Sequence, residues 1–264
     1  MVDVHCHLNF KAFEKDYDEA VKRAKEKGVE IIINTGTSLE SSLKAVELAQ
    51  KYDNLYAIVG IHPHHGDKLE AGWEKELKKI AQEKKVVGIG EIGLDYYSYN
   101  SNGIVDPKIQ RQVFETQIQM ANELNLPLQI HNRHAGEDII EILNANKSLL
   151  KKIPGMFHCF AARQDVLKKA LDLGFYIGFD GNITYKGLAP GETVSLSDLC
   201  RNTPIERIVT ETDAPFLTPE PYRSGRNEPS YVIIVKAKIA EIKAISENEV
   251  DLKTTQNAKT IFNI

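Results

Sequence analysis

Apolar positions along the chain fall into short continuous runs, and each run is followed by a stretch whose apolar residues recur three and four apart. The opening run, Val2-Asp3-Val4-His5-Cys6-His7-Leu8, is β-branched at its start and reads as a strand. Glu14–Lys27 carries Ala20, Val21 and Ala24 at helical spacing and stops at Gly28. Val29–Asn34, Leu55–Gly60, Val86–Glu91, Leu128–His131, Met156–His158, Phe175–Phe179 and Arg207–Glu211 read as seven further strands. Between them, helices are expected over Ser38–Lys51, Trp73–Lys84, 108–125 behind Asp106-Pro107, Glu137–Leu150, Gln164–Leu173 and Leu196–Asn202. Ser230–Ile245 and a helix within Val250–Phe262 follow the last strand. Residues 96–107, polar and rich in Gly, Asn and Ser, predict a long surface loop.

Strand and helix alternating in this way imply a parallel sheet with crossover helices. Eight units in 264 residues predict one domain, 1–264, of α/β class: a closed (β/α)8 TIM barrel. A doubly wound open sheet is the alternative, but no glycine-rich dinucleotide or P-loop signature follows any strand.

The chemistry sits where the strands end. In a strand, His5 and His7 share a face and Cys6 points the other way. An isolated His-x-His means little, but the other strand ends add His62, Glu91, His131, His158, Glu211 and Asp213. A barrel gathers those ends on one face, where active sites are built. Imidazoles mixed with carboxylates suit Zn2+, Mn2+ or related divalent ions. The donors exceed what one ion needs, so two are expected, with Glu91 placed to bridge them and each ion acidifying an attacking water. Asp213 is placed to hold an ion and to accept that water's proton.

Net charge is −4 with 27% charged residues, which excludes nucleic-acid binding through a broad basic surface. A polyanion would have to be met locally, through bound cations. Three widely spaced cysteines give no disulfide framework, and Cys6 and Cys159 are expected to turn away from the neighbouring histidines and pack as small apolar residues. No apolar stretch is long enough for a membrane span, and a strand beginning at residue 2 leaves no room for a signal peptide. A cytoplasmic monomer is the expectation.

Six ordered blocks then resemble one family. They are Asp3-x-His5-x-His7-Leu8, Gly60-Ile61-His62-Pro63-His64, Gly90-Glu91-Ile92-Gly93-Leu94-Asp95-Tyr96, His158-Cys159-Phe160, Glu211-Thr212-Asp213-Ala214-Pro215 and Arg226-Asn227-Glu228-Pro229. Together they are similar to the TatD-type metal-dependent deoxyribonucleases. The resemblance implies an amidohydrolase-like barrel that hydrolyses phosphodiester bonds in DNA, often exonucleolytically (3′-5′), with Mg2+, Mn2+ or Zn2+; single strands or DNA ends would be the substrate, and RNA is within reach. By position it implies one ion on His5, His7 and Asp213, a second on His131 and His158, and Glu91 between them. His62 and Glu211 would stand behind the ligands or touch substrate, with Glu211 fixing an imidazole tautomer.

The chain departs from the family pattern at Ala161-Ala162, where a Thr/Ser-Gly pair is usual, and at Arg223-Ser224-Gly225-Arg226, where a Gly-Lys-Arg is common. The 96–107 loop is also longer than expected. These departures spare the ligands and bear on specificity. Arg133 and Arg226 are candidate phosphate contacts. Tyr96, Tyr97 and Tyr99 are expected to pack their loop onto the barrel. The competing reading is another hydrolase on this scaffold, such as a lactonase, deaminase or amidase. Many of those bridge their ions through a modified lysine on the fourth strand, which here ends in Glu91.

Overall fold

A computed structural model describes residues 1–99 and 103–264; the expected 96–107 loop therefore lies partly outside the described residues. Eight strands form one parallel sheet in sequence order: β1 Val2–Cys6, β2 Ile31–Thr35, β3 Leu55–Val59, β4 Val86–Asp95, β5 Leu128–Arg133, β6 Gly155–Phe157, β7 Tyr176–Phe179 and β8 Ile208–Thr210. β1 meets β8 through an isolated bridge, Cys6 to Ala214, and through hydrogen bonds from Asp213 N–H to His5 O (2.9 Å) and His7 N–H to Ala214 O (2.7 Å). The sheet is thus a nearly closed barrel, as the alternation predicts.

The helices are α1 Tyr17–Glu26, α2 Leu39–Lys51, α3 Trp73–Ala81, α4 Pro107–Leu124, α5 Gly136–Ala145, α6 Gln164–Asp172, α7 Leu196–Asn202, α8 Val232–Lys243 and α9 Glu247–Phe262. Their starts follow local chemistry. Ser38 and Ser41 cap α2 reciprocally, and Asp106 accepts from Lys108 N–H ahead of Pro107 at the first position of α4. Two expected helices are shorter than the apolar pattern suggests: 137–150 breaks after Ala145 into a 3-10 turn over Lys147–Leu149, and 230–245 begins as a 3-10 turn over Pro229–Tyr231.

Outward strand residues such as Ile32, Leu55, Ile130, Phe157 and Ile177 are fully buried against the helices. Each such side chain contributes about 1.5–3 kcal/mol. Val2, Val4, Ile33, Ile58, Met156 and Val209 form a second cluster with Ala258, Ile261 and Phe262 of α9, which packs against β1, β6 and β8 and stoppers the end where the strands begin. The opposite end, above Gln129, stays polar. Gly90 makes that possible, because a Cβ there would stand 2.7 Å from the Gln129 Cβ. No helix among the described residues is long and apolar enough to cross a membrane.

Candidate metal centre

Three of the four candidate ligand histidines, His5, His7 and His131, are aimed by a hydrogen bond on the far nitrogen. His5 donates its Nδ1–H to Gln129 Oε1 at 2.8 Å, and the Gln129 amide is oriented by donating to Val4 O at 2.8 Å. His7 donates its Nδ1–H to Thr35 O at 2.9 Å. Both rings therefore turn an Nε2 lone pair into the pocket, and the two Nε2 atoms stand 3.0 Å apart. Asp213 Oδ1 completes the group at 3.5 Å from His5 Nε2 and 3.4 Å from His7 Nε2. Ligands about 2.0–2.1 Å from a tetrahedral ion lie about 3.4 Å from one another, so these donors fit a cation.

A second group faces the first. His131 donates Nε2–H to Asp95 Oδ2 at 3.1 Å and presents Nδ1, which lies 3.1 Å from His158 Nε2. Both nitrogens are 2.7 Å from Glu91 Oε1. The other Glu91 oxygen, Oε2, is 3.7 Å from His7 Nε2 and 3.9 Å from His5 Nε2. One buried carboxylate thus spans both groups, each of which could hold a metal ion. The six residues expected to be ligands converge, drawn from five strands and the segments just beyond them.

The electrostatics match that use. Burial works to raise the Glu91 carboxyl, but the charges of His158 and His62 hold it well below the usual carboxylate range. Asp213 is likewise held down, against burial, by His5 and His7. Burial and the charge of His158 push His5 down to about 4. Burial also disfavours a charged His131, yet Asp95 and Glu91 outweigh it and lift the ring to about 9; the field that draws a proton to Nδ1 would draw a cation equally. Burial and Asp180 push Glu211 well above the usual range.

The remaining candidates sit as follows. His62 Nδ1 accepts from His64 N–H at 3.1 Å, so its proton is on Nε2, 3.5 Å from Glu91 Oε1. Glu211 Oε1 accepts from the Cys159 backbone N–H, while its Oε2 and His158 Nδ1 are buried without partners. Glu211 therefore braces the turn after His158, and tautomer fixing falls to Gln129, Thr35 and Asp95. Gly178 leaves room for that carboxyl, since a Cβ there would stand 2.7 Å from Glu211 Oε1. Arg133 lies with its guanidinium carbon 5.1 Å from the Tyr97 ring centre and its Nε buried without a partner. Tyr96 and Tyr99 donate to Asp138 and Asp95, tying down their loop.

Two expectations are corrected. Arg226 is not a phosphate contact: its terminal nitrogens are held by Asp16 at 2.7 and 2.6 Å, and its guanidinium lies over the Phe13 ring. Cys159 does not pack as a small apolar residue: β6 ends at Phe157, Cys159 takes φ 44°, and its thiol accepts from Asn182 Nδ2 at 3.4 Å.

Sequence reasoning missed Gln129, although its place two residues before His131 on β5 puts both on one face. Gln129→Leu is expected to weaken divalent-metal binding about 10–100-fold, because the His5 ring loses its fixed tautomer; unchanged affinity in a metal titration would overturn that role.

The family profile described as TatD related DNase matches residues 2–263. A Bacillus subtilis protein named uncharacterized metal-dependent hydrolase YabD is 39% identical over 100% of this chain and 99% of its own. A Klebsiella pneumoniae protein named 3′-5′ ssDNA/RNA exonuclease TatD is 33% identical over 100% of this chain and 98% of its own. The crystal structure of the Escherichia coli TatD homolog YjjV superposes with a TM-score of 0.89 at 27% identity, covering 100% of this chain and 98% of that one.

Proposed function

The chain belongs to the TatD-related DNase family and is a metal-dependent hydrolase; on that premise we propose that it hydrolyses phosphodiester bonds in nucleic acid, removing nucleotides from the ends of single strands, DNA first and RNA in addition. The observation that carries the reading is the span of Glu91, whose two oxygens each face a separate set of imidazole nitrogens. A polyanionic substrate needs concentrated positive charge, and a chain of net charge −4 supplies it best through ions held at this site.

His5, His7 and Asp213 would hold one divalent ion, His131 and His158 the other, and Glu91 both. When bound, the ions lower the pKa of the attacking water and offset the charge that grows on the phosphoryl oxygens. Asp213 engages the histidines through Oδ1, which leaves Oδ2 to take the proton of that water. His62, with its proton on Nε2, orients Glu91 or donates to a phosphoryl oxygen. Arg133, whose Nε is unsatisfied, is available to the same phosphate.

The test is digestion of end-labelled single- and double-stranded oligonucleotides, with Mg2+ or Mn2+ added and with chelator. Stepwise shortening of the single strand that needs metal and starts at the 3′ end is the expected result. No release of nucleotides under any metal removes the reading.

A further inference from the structure

A cleft of about 510 Å³ opens beside the first ligand group. Its inner wall continues the metal centre: the Phe10 ring stacks on His7 at 4.4 Å between centres, and Phe216, three residues after Asp213, meets Phe10 edge-on at 6.1 Å. Phe216 is 51% exposed and Phe10 is half-buried, in a chain whose other seven phenylalanines are buried. The outer wall carries Lys11, Lys44 and His65 against a single carboxylate, Glu40. Neither lysine is in an ion pair among the described residues. A second cleft, of about 340 Å³ at the start of α5, has the opposite character: Glu137, Asp138 and Glu192 line it, and its Arg163 is paired with Glu137 and Asp165.

Aromatic faces bind bases irrespective of sequence, but only bases freed from a complement, and unpaired lysines track the backbone between them. Resting on the phosphodiesterase reading, we propose that the strand adjoining the scissile phosphate runs through the cleft of Phe10 and Phe216. One unpaired base stacks on Phe216, and the next phosphate lies by Lys11 and Lys44. The acidic cleft at the start of α5 repels the strand. Preference for single-stranded substrate is thus set by two phenylalanines and two lysines outside the ligand groups.

The measurement compares kcat/KM for a short single-stranded oligothymidylate with kcat/KM for bis(p-nitrophenyl) phosphate, which has no adjoining nucleotide or second phosphate. In Phe216→Ala the ratio of the two is expected to fall about tenfold, through the KM of the oligonucleotide. In Lys11→Ala/Lys44→Ala the salt dependence of that KM is expected to flatten. Leu252→Ala, an exposed residue of α9, serves as the control and keeps the wild-type ratio. If the wild type cleaves both substrates and Phe216→Ala leaves the ratio unchanged, the cleft assignment fails and the phosphodiesterase reading survives. If the wild type cleaves neither, both fail together.

Discussion

Replacing Glu91 by alanine is expected to lower turnover on the order of 10³-fold or more while the barrel stays folded. Glu91 touches both ligand groups with its carboxylate, at 2.7 Å from His131 and His158 and within 3.9 Å of His5 and His7. Without it, two sets of imidazoles remain with nothing to hold their ions in a fixed relation. The strand backbone is indifferent to the change, because β4 is held by its ladders to β3 and β5 and by Ile89 and Ile92 in the core. Circular dichroism and a melting curve would establish the fold, and metal analysis would show fewer bound ions. Wild-type turnover in this variant, with full metal content, would remove the bridging role.

Chelation is expected to abolish activity and to lower the melting temperature by about 5–10 °C, both restored by Mn2+ or Zn2+. The reason is the direction of the lone pairs. With Nδ1–H groups committed to Gln129 and Thr35, the Nε2 atoms of His5 and His7 face each other at 3.0 Å as two acceptors. A cation turns that repulsion into ligation. An ion present at about 100 times its Kd adds about 2.7 kcal/mol to stability, and a chain of this size gains about 2–4 °C per kcal/mol. A Glu91→Ala protein should show a smaller shift. Identical melting curves with and without chelator, for protein shown by analysis to carry metal, would mean that the fold does not sense the ions.

The order of strands and the convergence of their ends were legible because both follow from period and spacing. What escaped was set by partners distant in sequence. β4 runs on past Glu91 to Asp95, although Gly90 and Gly93 look like breakers, because it pairs with β5 as far as Arg133. Glu91 therefore lies within its strand, and Asp95 arrives under His131. Arg226 read as a phosphate contact because nothing local shows Asp16, which lies 210 residues earlier in the chain and takes the guanidinium. Glu211 read as a tautomer lock, but its Oε1 takes the Cys159 backbone N–H, and neither its Oε2 nor His158 Nδ1 has a hydrogen-bond partner. Phe10 and Phe216 carried no signal, since a single phenylalanine in a loop does not announce that it is left uncovered.

The joint between the first and last strands has a mechanical meaning. Elsewhere neighbouring strands are laddered, whereas β1 and β8 meet through one bridge and a few hydrogen bonds. His5 and His7 stand on one side of that joint and Asp213 on the other. An ion gripped by all three would rivet the hoop shut at its weakest point. The bonds that arm the catalyst would then be the same bonds that keep the staves from parting.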